Sequence, residues 1–148
     1  MDNFENLDLK KIEKFSFNGM TFRCRVIKVY DGDTITCVIN YNNNFYKIPI
    51  RLCGIDTSEK TSSNNILRVR ALKSRSRLVN LLDFDTSPCC MVTIVCKEFD
   101  KYGRTLADVY SDKTGQETVQ SILMREKLAY MYGGNKKMTE SEQVEFFT

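Results

Sequence analysis

The chain reads as a small α+β domain: a five-stranded barrel that carries two to three helices. Three observations predict it. Alternating and β-branched segments fill Phe15–Leu52, a glycine- and proline-free stretch follows at 62–82, and two further apolar strands precede a second helical segment. With 148 residues, 42% of them hydrophobic and 28% charged, the chain has enough apolar side chain for one core and little room for another.

The elements follow in order. Residues 1–14 mix charges with Leu7, Leu9 and Ile12 and read as a short helix or a frayed extension, which leaves 15–148 as the single domain. Phe22, Cys24, Val26 and Lys28 alternate with Arg23, Arg25, Ile27 and Val29, so the first set shares one face of a strand. Asp31-Gly32-Asp33 signals a turn, Thr34–Ile39 a second strand, and Asn42–Asn44 a long reversal into a third strand over Phe45–Leu52. The helix over 62–82 has Ser62 or Ser63 as its cap, with Leu67, Ala71, Leu78 and Leu82 on one stripe and Ser74 in the gap. Met91–Cys96 and Leu106–Tyr110 are two more strands. Glu117–Leu128 is a helix ending near Gly133-Gly134, and a short helix is expected around Glu140–Phe147. This order suits the OB architecture, a small barrel whose face and loops often bind oligonucleotides.

Composition excludes several classes. There is no histidine, and none of Cys24, Cys37, Cys53, Cys89, Cys90 and Cys96 forms a CxxC pair, which argues against zinc. The acidic residues of 1–11 and the lack of an apolar run there give no signal peptide, and no apolar run approaches the ~20 residues of a membrane span. Reduced, buried cysteines and an intracellular location are expected, in the host cytoplasm if the source is a virus. A monomer without an obligate protein partner or a membrane is expected. Six of the 22 basic residues and none of the 19 acidic ones fall within 60–80, among them Arg70, Lys73 and Arg77 on one side of the helix. That block reads equally as an attractor of polyanions or as a solvated face.

Three segments concentrate charge where strands end: Asp31–Thr34, Arg51–Glu59 and Asp100–Arg104. Each alone is an ordinary polar turn. Together they meet the needs of phosphodiester hydrolysis, in which negative charge builds on the phosphorane and the leaving oxygen. Asp33 and Asp56 suit a hard divalent cation. Arg51 and Arg104 can fork onto phosphate oxygens, and Glu59 can position or deprotonate water.

At these residues the chain resembles the staphylococcal nuclease family. The likeness rests on Val29–Thr34 (V-Y-D-G-D-T), Arg51–Glu59 (R-L-x-G-I-D-T-x-E) and Asp100–Arg104 (D-K-Y-G-R), in that order, and spans about residues 21–135. The resemblance implies a Ca²⁺-dependent endonuclease that cleaves DNA and/or RNA with little sequence preference and leaves 3′-phosphate ends. It implies that Asp33, Asp56 and the Thr57 carbonyl hold Ca²⁺, with Asp31 behind them. Arg51, Glu59 and Arg104 would be catalytic, and Lys101 and Tyr102 would meet a neighbouring phosphate. The base-contacting tyrosine is Tyr130 or Tyr132. Ser58 stands where the family usually has proline, which implies a looser Glu59 loop. The alternative is a relative of this fold that has lost turnover and only binds nucleic acid.

Overall fold

The computed structural model describes residues 3–148. Strands β1 (Thr21–Asp31), β2 (Thr34–Tyr41) and β3 (Asn44–Leu52) form a meander, followed by the two-residue strand β4 (Ile55–Asp56) and helix α1 (Asn65–Leu82). Then come β5 (Met91–Phe99), β6 (Thr105–Ser111), α2 (Val119–Arg125), the short β7 (Tyr130–Met131) and α3 (Glu140–Phe147). Five strands close a barrel in the order β1-β2-β3-β6-β5, and β5 pairs back onto β1. This is the expected OB-like α+β barrel with three helices. Closure removes the open edges of the barrel sheet, and β4 and β7 form a separate two-stranded sheet.

Inward residues alternate along each strand as a half-buried sheet requires: Ile35, Cys37 and Ile39 on β2, and Val92, Ile94 and Cys96 on β5, are all fully buried. The alternation in β1 breaks at a bulge. Val26 pairs with Cys37 and Lys28 with Thr36, so Ile27 is an extra residue. Lys28, expected on the face of Phe22, is therefore exposed, and Val29 enters the core instead. A second irregularity leaves Tyr30 between the pairs Val29↔Ile35 and Asp31↔Thr34. The β2–β3 reversal is shorter than expected. Tyr41 pairs with Asn44, so only Asn42 and Asn43 turn, both in the left-handed region with φ 56° and 65°. Asparagine tolerates that region, and the resulting turn matches strand twist.

Closure depends on a pairing that local patterning does not announce. β3 and β6 run parallel, with Ile50↔Thr105, Arg51↔Leu106 and Leu52↔Ala107. That register sets Arg51 beside the end of the β5–β6 turn that carries Arg104.

Helix α1 begins later than expected, because Asn64 is the cap and its Oδ1 accepts from the Ile66 and Leu67 amides at 2.9 and 3.3 Å. Ser62 is engaged elsewhere, its hydroxyl donating to Glu140 Oε1 at 2.7 Å. The expected stripe of Leu67, Ala71, Ser74, Leu78 and Leu82 is buried. It lies so close to the β1–β2 turn that a Cβ on Gly32 would come within 2.6 Å of Ser74 Cβ. Glycine there is a packing requirement.

Helix α2 stops at Arg125, before the glycines expected to end it. Lys127 adopts φ 56°, and the Leu128 amide bonds back to Leu123 O. α3 spans the expected residues and starts with a reciprocal Thr139–Glu142 capping box. Residues 3–14 are exposed and hold neither helix nor strand; Met1 and Asp2 lie outside the described residues. All six cysteines are free, with Cys24, Cys37, Cys90 and Cys96 buried, Cys53 half-buried and Cys89 exposed. Among the described residues no helix is long and apolar enough to cross a membrane.

Candidate active site

Asp33 leaves the β1–β2 turn, Arg51 sits on β3 and Asp56 on β4. Barrel closure converges the three. Arg51 Nη1 lies 2.6 Å from Asp33 Oδ2, and Nη2 lies 2.8 Å from Asp56 Oδ1 and 3.2 Å from Ile55 O. All three side chains are at most 7% exposed. Removing one member of such a buried group leaves a charge uncompensated, at a cost of about 3–5 kcal/mol. Burial alone would raise the Asp33 pKa. The hydrogen bond from Asp31, the Arg51 charge and the Thr34 hydroxyl at 2.8 Å hold it well below the usual carboxylate range. The Thr57 amide and hydroxyl also donate to Asp33 Oδ2, at 3.2 and 2.9 Å. Burial first, and then the bond and charge of Asp33, push Asp31 up to about 7.

Asp56 has a partner that sequence reading did not assign. Tyr130 is buried, and its hydroxyl donates to Asp56 Oδ2 across the short β4–β7 pairing Asp56↔Tyr130. Tyr132, two residues on, instead lines a cleft of about 270 Å³ with Arg51, Tyr102, Arg104, Leu106 and Lys137. Arg104 is oriented by Asp100, which takes its Nε at 2.7 Å and its backbone amide at 2.9 Å. Its two terminal nitrogens carry no hydrogen bond among the described residues. Tyr102 lies beneath both Arg104 and Lys101, at 5.4 and 5.3 Å from ring centre to cation. Glu59 is 66% exposed, and Lys137 Nζ reaches it at 3.6 Å and Asp56 at 3.7 Å. The sequence named Tyr130 only as an alternative to Tyr132 for a base contact and Asp100 only as the start of its charged turn, and Lys137 gave no local signal as a site residue.

Of the basic side chains on α1, Arg77 is forked onto Glu126 at 2.8 Å through both Nε and Nη2. Arg70 donates to Phe147 O and lies over its ring. Lys73 has no ion pair or hydrogen bond among the described residues, and none of the three lines the cleft. Among the described residues no group of three or more acids, cysteines or histidines is arranged for a metal. The chemistry of the donors nevertheless suits a hard divalent cation. Asp33 and Asp56 are held as neighbours by one guanidinium, Asp31 stands behind them, and every candidate donor is oxygen.

A closed barrel with acids and arginines converging beside an open cleft defines a small barrel protein with a charged cleft. The model of the staphylococcal nuclease homologue family matches residues 49–147. A micrococcal nuclease of Shigella flexneri is 31% identical over 131 residues, covering 84% of this chain and 67% of that protein. An uncharacterized endonuclease of Haemophilus influenzae is 32% identical over 109 residues, covering 74% of this chain and 52% of that protein. The chain belongs to the staphylococcal nuclease family. It spans about two thirds of the length of one of these relatives and about half of the other.

Proposed function

We propose that the protein is a nuclease, and more narrowly a Ca²⁺-dependent endonuclease that hydrolyses phosphodiester bonds of DNA and/or RNA. It would act with little sequence preference, leave 3′-phosphate ends, and use residues 15–148 as its single domain. Both named relatives are nucleases by name. The observation that supports the reading most is the convergence of Asp33, Arg51 and Asp56 from three segments, with Arg104 on the wall of the adjoining cleft.

Asp33, Asp56 and the Thr57 carbonyl would hold the cation. When bound, it would supply positive charge against that developing on the phosphoryl oxygens. The rest falls to side chains. Arg104, pre-set by Asp100, presents two free guanidinium nitrogens to a phosphate in the cleft. Arg51 adds a second fixed positive charge at the cleft wall and helps keep Asp33 ionised. Glu59 stands exposed at the edge, where it can take a proton from the attacking water. Water adds to phosphorus and the bond from phosphorus to the 5′ oxygen breaks. The 5′ oxygen leaves as a hydroxyl after taking a proton from solvent, and the phosphate stays on the 3′ oxygen. Lys101 and Tyr102 at the rim would bind a neighbouring phosphate, and Tyr132, which lines the cleft, would meet a base, whereas Tyr130 is buried on Asp56. Arg70 and Arg77 are engaged within the fold, so Lys73 would carry the polyanion attraction of α1.

Purified protein incubated with single-stranded DNA and RNA, with Ca²⁺ or with chelator, tests this directly. Calcium-dependent cleavage to 3′-phosphate ends is expected. Folded protein that cuts neither substrate with Ca²⁺ would overturn the reading.

A further inference from the structure

Beside the acids lies a cluster that the proposed chemistry leaves unused. Tyr30 is the extra residue of the second β1 bulge, 48% exposed and immediately before Asp31. Bulges re-aim side chains, and this one turns a large ring outward beside the site. Lys60, immediately after Glu59, places its ammonium 3.6 Å from the ring centre, and Lys28 lies 5.4 Å from it. Both lysines are exposed. None of these residues lines the cleft that holds Tyr102 and Tyr132. Lys137, on the cleft wall, touches Glu59, and Glu59 adjoins Lys60. Contacts therefore run from the cleft through Lys137 and Glu59 to Tyr30.

We propose that Tyr30, Lys28 and Lys60 form a second nucleotide subsite, which takes an unpaired base and its phosphate on the side of Glu59 away from Tyr102. The inference rests on the nuclease reading and names the form of substrate: a single-stranded stretch crossing the site. An aromatic ring stacks only on a base whose face is free, and duplex bases present none. Such stacking tolerates any base, which agrees with low sequence preference. The ammonium groups ride on flexible stems and can shift from the ring to the phosphates flanking a bound base. The occupant follows from continuity with the acid and arginine site and from charge: two cations frame the ring.

The test measures binding in chelator, so that no turnover is needed. The probes are a fluorescein-labelled single-stranded 12-mer, a hairpin duplex of equal length, and a dinucleotide too short to span both flanks. Tyr30→Ala is expected to weaken 12-mer binding on the order of 10-fold, Tyr30→Phe to stay within about twofold, and the dinucleotide and duplex to be unaffected. Lys60→Ala should reduce the slope of log affinity against log salt by about 0.7. In the wild type, a 5-iodouracil 12-mer irradiated in the complex should crosslink to the peptide containing Tyr30. Wild-type binding of the 12-mer with full affinity in Tyr30→Ala, and no crosslink there, would overturn the subsite alone. Folded wild type that binds no oligonucleotide in chelator would overturn the subsite, and the nuclease reading falls with it only if the same protein also cuts none with Ca²⁺.

Discussion

Replacing Gln143 by alanine tests how the loop carrying Glu59 is held. Ser58 is buried, and its hydroxyl donates to Gln143 Oε1 at 2.9 Å, while Gln143 Nε2 donates to Met138 O at 3.0 Å. Four residues on, Ser62 is tied to Glu140 of the same helix. Both ends of the 58–62 loop are therefore fastened to α3, where a proline would have stiffened the loop from within. Gln143→Ala leaves the Ser58 hydroxyl and the Met138 carbonyl unpaired. One buried polar group left without a partner costs about 2 kcal/mol. For a chain of this size that is a drop of roughly 4–8 °C in Tm. Circular dichroism melts measure it, and initial rates on single-stranded DNA, taken well below Tm, measure the effect on Glu59. The rate should fall several-fold in kcat more than in KM, since Glu59 acts on the transition state. Ser58→Pro supplies the control. The Ser58 amide makes no hydrogen bond among the described residues, so proline there costs none. In that background Gln143→Ala should have a much smaller effect on rate. Melting within about 1 °C of wild type together with an unchanged rate would refute the argument.

Three further outcomes are expected. Glu59→Gln and Arg104→Ala should each lower kcat by about 100-fold or more with the fold intact, and wild-type rates in both would show the roles to be misassigned. Asp100 is held below the usual carboxylate range by the Arg104 and Tyr102 amides and the Arg104 side chain, against the opposing effect of burial. A depressed folded pKa contributes stability that is present above the unfolded value near 4 and disappears as pH falls through the folded one. Asp100→Asn should therefore lower Tm at pH 7 and approach wild type as the pH of the melts falls through the depressed Asp100 value; a gap independent of pH would contradict this. Burial pushes Cys90 and Cys96 up to about 11 and also raises Cys53, whereas Cys89 is exposed. Native protein at pH 8 should show one fast thiol toward Ellman's reagent and six after denaturation; fast reaction of the buried thiols would refute the packing.

What the sequence determined by itself is what short-range chemistry controls. Gly-containing turns, the alternation on β2 and β5, the apolar stripe of α1 and the capping of α3 all depend on neighbours within a few residues. So does the Asp100–Arg104 pair, and each could be read along the chain. Where a local rule was broken by one residue, reading failed: the bulge at Ile27 sends Lys28 outward and Val29 inward, and Asn64 takes the cap because Ser62 bonds to a helix 78 residues away. Tertiary structure alone decided the parallel β3–β6 pairing, the bridge from Tyr130 to Asp56 across 74 residues and the Ser58–Gln143 tie across 85. It also separated Tyr130 from Tyr132, whose identical side chains sit two positions apart, one buried on an acid and the other lining the cleft. The physical reason is range. Turn and helix preferences are set by local backbone and side-chain sterics, whereas the partners of a buried polar group are whatever groups closure of the barrel brings within 3 Å.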